Sequence, residues 1–428
     1  MYIIKAIKVE DFWHNYQIDM PFNNEVNILI GKNGSGKTTF MNLLQAILTI
    51  DIDKLAEVTF SKVEILLIKG NSKKNIKITK FEEFSTTPTV RYKISNKKSI
   101  DLPIITSESL RSYPLSMRRK MKDSYDKLKS EFQEIVAVSS LSVYRNNYEY
   151  DFDHREYSKS NKYSFSPVDD RLTNLLELLT RYQLELSSKA RNISAQLQKS
   201  VLLSLLETTS IKFTIRSIIE FNANEQKEKL IDAYKKLGLN SKDVTSKITQ
   251  HIQSMEKLKD HFKNRKSSNE TVATNIDFSP LEIQKRTNNI IQLSLEAEKD
   301  IQEIFEPLEL YLEELKKFMQ KEFKFSSAGD LEIAEKYSIE KLSSGEKQLL
   351  ILLTEALLQQ KKSFIFLADE PELSLHIAWQ REILPAVKKI NPNAQIIVAT
   401  HSPEIAGGYR NNIISMKSIL SEPNKNKD

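Results

Sequence analysis

The sequence predicts an α/β fold: a parallel sheet built from the two ends of the chain, an antiparallel β-meander beside it, and an α-helical, short coiled-coil-like insertion between the halves. Three observations carry this. A glycine-rich loop separates an apolar β-like run from a helix-forming run near the N-terminus. An apolar run closed by two acids lies near the C-terminus. The stretch between them is charge-rich, with apolar residues at three- and four-residue spacing.

Along the chain, Met1-Tyr2-Ile3-Ile4-Lys5 enters strand-like alternation at once, without the basic, apolar and small-residue pattern of a leader. Residues 1–50 read as strand, turn, strand, loop, helix. Three of the nine glycines fall in Gly31-Lys32-Asn33-Gly34-Ser35-Gly36-Lys37-Thr38, where an average chain of this length carries about three times as many glycines in all. The spacing matches the P-loop, G-x-x-x-x-G-K-[ST], and the flanks fit it: Val26 to Ile30 as a buried strand, Thr39 to Leu48 as a helix. Glycines let the backbone turn its N–H groups around phosphates, a lysine adds a point charge at the β/γ-phosphates, and the following hydroxyl ligates Mg²⁺. Gly31, Asn33, Gly34, Ser35, Gly36, Lys37, Thr38 and Thr39 are therefore the candidate phosphate-binding residues, with Thr38 as a metal ligand.

Three β-like runs follow, Lys62 to Ile68, Asn75 to Phe81 and Val90 to Ile94, joined by polar turns such as Gly70-Asn71-Ser72; they predict the meander. Between Ser61 and Ile100 ten basic residues stand against three acids, and Arg118-Arg119-Lys120-Met121-Lys122 comes soon after. Two readings stay open: a contact surface for the phosphate backbone of DNA or RNA, or a solvated edge where lysines block aggregation. From Ser107 to Lys321 the pattern is helical, interrupted by a strand-like Ile135 to Val143 and a Ser/Asn/Tyr-rich loop, Arg145 to Pro167. Leu172 to Leu206 and Ile283 to Phe318 carry the apolar spacing, including Leu308, Leu312 and Leu315, and Gly238 with Asn240 marks a turn between helices.

The C-terminal part returns to α/β. Leu342 to Gln348 is a polar turn opening a helix over Gly345 to Gln360. Phe364-Ile365-Phe366-Leu367-Ala368 reads as a buried parallel strand with Asp369 and Glu370 at its C-terminal tip, the end at which open α/β sheets bind ligands. Asp369 is placed to hold hydrated Mg²⁺ and Glu370 to orient or deprotonate an attacking water. Ala394 to Ala399 reads as a further strand ending at Thr400-His401-Ser402-Pro403. Together with the P-loop these elements predict an ATP site, with Lys37, Glu370 and His401 as its catalytic candidates. The expected division is 1–106, 107–320 and 321–428: two parts of one domain around the insertion.

The 428 residues, 40% of them hydrophobic, suffice for that domain and more. There is no cysteine, which excludes disulfides and thiolate metal sites. His14, His154, His251 and His261 show no metal-ligand spacing. The longest apolar runs, Leu349 to Leu353 and Phe364 to Ala368, fall far short of a membrane span, so a cytoplasmic protein without membrane contact is expected. A net charge of +6 over this length does not by itself imply nucleic acid.

At these residues the chain resembles the ABC-type ATPase heads, the AAA-family group that includes the Rad50, SMC and OLD families. Gly31 to Thr38 matches their Walker A, Leu342 to Glu346 their signature, Phe364 to Glu370 their Walker B, Pro371 to His376 their D-loop region, and His401 their switch histidine. The signature departs from L-S-G-G-Q at Ser344 and Glu346, as in the Rad50-like branch, and no Q-loop glutamine stands out: Gln45 lies too near the P-loop helix and Ile135 to Arg145 contains none. The resemblance implies that Ser343 and Gly345 of one protomer cover the γ-phosphate of ATP held by another, so that ATP joins two heads in a homodimer or higher oligomer and hydrolysis releases them. It leaves two roles open for His376, orienting the partner's nucleotide or starting a helix, and two for Trp13, approaching adenine or packing. With 27 residues after His401, no TOPRIM nuclease domain of the OLD kind is expected to follow. The runs Ala-Asp-Glu-Pro-Glu-Leu-Ser-Leu-His and Ala-Thr-His-Ser-Pro-Glu-Ile resemble the ATPase subunits of bacterial anti-phage systems of the Septu, retron-associated and PARIS types. That implies an ATP-switched sensor or scaffold controlling a separate HNH or TOPRIM nuclease. A repair or recombination ATPase that clamps DNA directly is the alternative, and a transporter ATPase is disfavoured by the insertion and by Glu346-Lys347.

Overall fold

The computed structural model describes residues 1–81, 87–106, 109–142, 167–206, 221–237, 239, 241–264, 279–334 and 338–422. It divides into two compact units, Met1–Tyr182 with Leu308–Asp428, and Gln183–Pro307.

Two sheets organise the first unit. The strands β1 (Ile3–Phe12), β2 (Tyr16–Pro21), β3 (Val26–Ile30), β4 (Lys62–Lys69), β5 (Ser72–Phe81), β6 (Thr89–Ile94), β7 (Ile100–Pro103), β8 (Val138–Ser142), β9 (Phe323–Phe325), β10 (Leu331–Ile333), β11 (Phe364–Asp369), β12 (Ala394–Ala399), β13 (Ile413–Ser415) and β14 (Leu420–Ser421) follow in chain order. Seven of them pair antiparallel in the order β14-β2-β1-β4-β5-β6-β7, and five pair parallel in the order β13-β3-β12-β11-β8. The parallel strands β11 and β12 are buried almost throughout, as strands covered on both faces must be. The antiparallel strands alternate: Val63, Ile65 and Leu67 of β4 and Ile76 and Ile78 of β5 point to the core.

Between the sheets lies helix α1 (Lys37–Thr49), whose Phe40, Leu43, Leu44 and Ile47 are fully buried in one cluster with residues of both sheets. A buried polar link joins the sheets as well. Gln395 of β12 accepts from the Ile4 amide at 2.8 Å and donates to the Ile4 carbonyl at 2.7 Å and to the Asn23 carbonyl at 2.9 Å, so the side chain is satisfied where water cannot reach. After the short α2 (Ile52–Glu57), α3 (Leu115–Ile135) covers the inner face of the seven-stranded sheet with Met121, Tyr125, Leu128 and Phe132. The ring of Phe132 meets Tyr92 edge-on at 5.6 Å.

Several expectations are corrected here. The meander has a fourth strand, β7, and three strands rather than two precede the P-loop. The strand expected from Ile135 begins at Val138, because α3 runs through Ile135. The compact second unit, 183–307, is narrower than the insertion read from the sequence, 107–320. The reason is physical: α3 completes the core under the meander, and β8 is the edge strand of the parallel sheet, paired with β11. The loop Arg145 to Pro167 up to the start of the next helix, the turn at Gly238 and Asn240, and His154 lie outside the described residues.

Helix α4 (Pro167–Leu206) begins in the first unit; α5 (Ala223–Lys236) and α6 (Lys242–Asn264) belong to the second; α7 (Ser279–Met319) ends in the first. Within the second unit Leu230, Ile248, Ile252, Met255, Leu258, Leu281 and Ile291 form one apolar cluster. The stripe expected on α7 packs inward: Leu308 and Leu315 are buried in the first unit. No helix among the described residues is long and apolar enough to cross a membrane.

Helix α8 (Ser344–Leu358) is the junction of the first unit. Its Glu355, 2% exposed, accepts from Arg171 at the root of α4 at 3.0 and 2.5 Å and from the hydroxyl of Ser139 on β8. Its Lys347 pairs with Asp169 at 2.7 Å, and its Thr354 shares a hydrogen bond of 2.7 Å with Tyr311 of α7. Burial pushes the Glu355 carboxyl above the usual range, and Arg171 opposes that shift. Removing Arg171 would leave a buried carboxylate without its counter-ion, which typically costs about 3 kcal/mol. Arg171→Ala is therefore expected to lower the urea midpoint substantially. Because the folded-state pKa of Glu355 lies above its unfolded value, stability is lost as pH rises through that window, so the deficit should be smaller at about pH 5 than at about pH 8.

Candidate nucleotide-binding site

The parallel order puts β12 between β3 and β11, with Ala399 opposite both Leu29 and Asp369. The loops leaving the three strands, at Gly31, Thr400 and Glu370, therefore emerge side by side on one edge, although they come from opposite ends of the chain. There they surround a cleft of about 750 Å³.

The P-loop forms one wall. Gly34 (φ +77°) and Gly36 (φ +90°) have left-handed backbone, and a Cβ on Gly31 would lie 2.5 Å from the Ser35 hydroxyl. Asn33, Gly34, Ser35, Gly36, Lys37, Thr38 and Thr39 all line the cleft, and Gly31 sits behind them at the base of the loop. The Ser35 hydroxyl is buried without a hydrogen-bond partner. That orphaned group fits a loop built to meet a ligand's oxygens.

Lys37, the first residue of α1, is 4% exposed. Its ammonium donates to the carbonyl oxygens of Gly31 (3.0 Å) and Lys32 (3.4 Å) and contacts His401 Nε2 at 2.7 Å. An ammonium has no lone pair, so this contact requires His401 to accept at Nε2 and carry its proton on Nδ1. Burial lowers the Lys37 pKa, against the pull of Glu370, Asp369 and Glu372. Thr38 donates to Asp369 Oδ1 at 3.4 Å, a hydroxyl and a carboxylate side by side, the oxygen donors a hard divalent cation takes. Burial raises the Asp369 pKa, the Thr38 hydrogen bond opposes it, and Glu370 adds to it.

Glu370 has φ +48°, a left-handed conformation rare for a residue with a side chain, and its amide donates to Ala399 at 2.8 Å. This turn brings its carboxylate to 3.4 Å from His401 Nε2. Trp13, in the β1–β2 turn, stacks on Phe12 at 5.5 Å, lies against Gly36 and lines the cleft. It packs and also faces the cleft, so both roles left open for it remain compatible with its place.

Ser343 and Gly345 are not brought to this cleft. Ser343 is exposed and caps α8 in a capping box: its hydroxyl accepts from the Glu346 amide at 3.3 Å, while its own amide donates to the Glu346 carboxylate at 2.8 Å. Lys321 completes an ion pair with Glu346. The glutamate that departs from L-S-G-G-Q thus closes the cap. His376 starts a helix: its Nδ1 accepts from the Ala378 amide at 3.3 Å at the head of α9 (Ile377–Gln380), and it does not line the cleft.

Glu372 escaped sequence reading. It lies in a short 3-10 turn, Pro371–Ser374, and reaches across to Thr400, His401 and Ser402. A third acid shortly after Asp369-Glu370 was the available signal, but nothing in the spacing says that it meets a loop 28 residues further on.

A family model described as AAA ATPase domain matches residues 1–406. The Retron Ec83 probable ATPase of Escherichia coli is 38% identical over 79 residues, a match spanning 16% of this chain and 15% of that protein's own length. Among solved structures, the Smc head domain with an extended coiled coil, bound to the C-terminal domain of ScpA, from Pyrococcus furiosus aligns with a TM-score of 0.43 at 15% identity, covering 99% of this chain and 96% of that one. The recombination mediator protein RecF aligns with a TM-score of 0.35 at 13% identity, covering 94% of each chain.

The two left-handed glycines separate strain from crowding. A Cβ on Gly34 meets nothing within 4 Å, whereas one on Gly36 lies 3.3 Å from both Phe12 and Trp13. Gly34→Ala is expected to cost only the left-handed penalty, about 1 kcal/mol, and Gly36→Ala clearly more, with weakened nucleotide binding as well. Urea denaturation and fluorescent-nucleotide titration of both variants check the order.

Proposed function

We propose, because this chain belongs to the AAA ATPase domain family, that it binds and hydrolyses ATP in the cleft between the P-loop and the tips of β11 and β12. The observation that carries the reading is the convergence of Lys37, His401 and Glu370, with Nζ–Nε2 and Nε2–Oε1 separations of 2.7 and 3.4 Å, on one edge of a parallel sheet. The loop amides from Asn33 to Thr38 bind the phosphates. Lys37 exchanges its carbonyl partners for phosphate oxygens, an exchange its burial favours because the ammonium is already desolvated. Thr38 and Asp369 are the residues that would hold Mg²⁺, which supplies neutralisation of the phosphate charge. Glu370 orients the attacking water and takes its proton, and His401 senses the γ-phosphate.

Ser343, exposed at the head of α8 and apart from its own cleft, is available to the nucleotide of a second copy. Its side chain and the positive end of α8 then complete the partner's site, so that ATP holds two heads together. The proposed setting is anti-phage defence, a role that the similarity to a retron ATPase suggests; the further proposal, a cytoplasmic sensor or scaffold that controls a separate HNH or TOPRIM nuclease, rests on the motif resemblance alone. The helical insertion is the element proposed for self-association and nuclease docking: Leu184, Leu202, Leu203, Leu239 and Ile283 of the second unit are all exposed large apolar side chains.

One observation favours the second reading, a direct DNA clamp. On the outer face of the meander Lys77 stands opposite Lys93 of β6, a like-charge pair of the kind that destabilises a sheet, although Glu64 of β4 faces Lys77 from the other side. Against it, Lys62 pairs with Glu10 and Glu64, Arg91 with Asp101 and Lys97 with Glu131, and Lys80 points inward to the carbonyls of Leu55 and Val58. Three of the ten basic residues are therefore paired with acids and a fourth is turned inward, and the solvated-edge reading is preferred.

Two experiments test this. Lys37→Ala is expected to weaken ATP binding and turnover together. Glu370→Gln should bind ATP, lose hydrolysis by about a hundredfold or more and accumulate as a closed head pair, and Ser343→Arg should bind ATP without hydrolysing it. Nucleotide binding, phosphate release and light scattering read these outcomes; wild-type turnover by Glu370→Gln would remove Glu370 as the base, and by Ser343→Arg the shared site. Separately, duplex DNA titrated at several salt concentrations should bind weakly, and Lys77→Glu with Lys93→Glu should leave that binding unchanged. Tight, steeply salt-dependent binding lost in the double variant would instead establish the clamp.

A further inference from the structure

We infer that Glu372 is a positioning residue that sets the imidazole of His401 against Lys37 and Glu370. Its catalytic consequence rests on the ATPase reading above; the placement rests on geometry alone.

The loop that follows β12 has no strand or helix of its own before Pro403. One carboxylate oxygen gathers three donors from it. Glu372 Oε1 accepts from the hydroxyl of Thr400 at 2.6 Å, from the amide of His401 at 2.8 Å and from the amide of Ser402 at 3.2 Å. Hydrogen bonds to an ionised acceptor are about twice as strong as neutral ones, and these three bracket His401 on both sides. Thr400 is fully buried, which fixes the near end of the bracket. Gln380 secures the far end: its Oε1 accepts from the Ser402 hydroxyl at 2.6 Å, and its Nε2 donates to the carbonyls of Leu375 at 3.1 Å and Glu372 at 3.4 Å. The segment that carries Glu372 and the loop that carries His401 are thereby joined as one piece.

The imidazole needs such a bracket. His401 lies at the surface with its side chain 36% exposed, and its Nε2 stands 2.7 Å from the Lys37 ammonium and 3.4 Å from the Glu370 carboxylate. The backbone that carries the ring is held on both sides by Glu372. The other carboxylate oxygen, Oε2, is buried with no partner, so the hydrogen bonding of this side chain is directed wholly at residues 400–402. Alanine at 372 would strip three donors of their common acceptor. Glutamine would keep an acceptor at the same place. A displacement of about 1 Å in a reacting group can cost on the order of a hundredfold in rate.

The test uses the full chain with Glu372→Ala, Glu372→Gln and Thr400→Val. ATP affinity is measured by calorimetry, kcat and KM by phosphate release, and the imidazole by carbon-13 NMR of histidine-labelled protein without nucleotide, the His401 signal being assigned from His401→Ala. Glu372→Ala is expected to bind ATP within about threefold of the parent, to lose kcat by about tenfold or more, and to shift or broaden the His401 signal. Glu372→Gln should recover most of the lost kcat and keep the signal in place. An unmoved signal with parental kcat in Glu372→Ala overturns the inference, and so does a Glu372→Gln protein as impaired as Glu372→Ala, which would assign the role to the charge. If Glu372→Ala does not fold, Thr400→Val decides: it removes the 2.6 Å donor to Glu372 together with the hydroxyl that accepts from the Ser402 amide at 2.9 Å, and leaves the His401 and Ser402 amides on Glu372; a moved signal with reduced kcat supports the bracket, and no change in either overturns it. Should the parent neither bind nor hydrolyse ATP, the ATPase reading fails, and the nucleotide-free signal still judges the placement.

Discussion

Every side chain of the cleft hangs from the parallel pairing of β3, β12 and β11. A one-residue slip of β12 against either neighbour would turn its residues to the opposite face and carry Thr400 and His401 away from Lys37 and Glu370. The register is protected by burial, because all six residues of β12 are buried and Ile396, Ile397 and Val398 each contribute about 1.5–3 kcal/mol. It is protected a second time by Gln395, whose amide fits only where the backbone of Ile4 and Asn23 offers matching groups. A buried amide with three satisfied hydrogen bonds tolerates no shift, since any displacement would leave it unpaired in the core. The glutamine thus fixes the sheet of the cleft to the sheet that carries Trp13.

The electrostatics of the cleft follow from that closeness. One buried ammonium, Lys37, faces Asp369, Glu370 and Glu372, so the strand tips gather more negative than positive charge before any ligand arrives. Burial raises Asp369 and lowers Lys37, each toward its neutral form, which is how a low-dielectric site resists holding charges without solvent. The arrangement is held despite a cost: Glu370 keeps a left-handed backbone that carries roughly 1 kcal/mol of strain or more. The strain is confined to the residue whose carboxylate must leave the strand direction to reach His401. Under the proposed ATPase reading, phosphate and metal resolve the imbalance together, the first meeting the ammonium and the loop amides, the second meeting Thr38 and Asp369.

What was legible in the sequence divides along a physical line. The P-loop, Phe364 to Glu370 and Thr400-His401 were readable because each is a local pattern whose backbone geometry and chemistry lie within a few residues. β8 was misjudged at its start because Val-Ser-Ser-Leu-Ser has no strong pattern of its own; it is a strand because β11 offers it hydrogen bonds. The same holds for the boundary of the insertion, since α3 reads as a charged helix like those that follow, and only its place under Tyr92 makes it part of the first unit. The basic residues of the meander looked like a patch in one dimension, yet Lys62 reaches Glu10, Arg91 reaches Asp101 and Lys97 reaches Glu131, separated by 52, 10 and 34 residues.

The same line explains Glu372 and the signature. Glu346 departs from the family pattern in sequence, but in the fold it bonds to Ser343 and Lys321, so the change from glutamine closes a cap that the neutral side chain would close less strongly. Glu372 looks in sequence like one more surface acid in a polar turn. Its meaning appears only when β11 and β12 pair and bring residues 371–374 beside residues 400–402. Motifs announce the groups that touch a ligand, because ligand chemistry restricts residue type and spacing. The groups that hold those residues in place answer to the fold, and a fold can draw its acceptor from any loop that the strand order brings near.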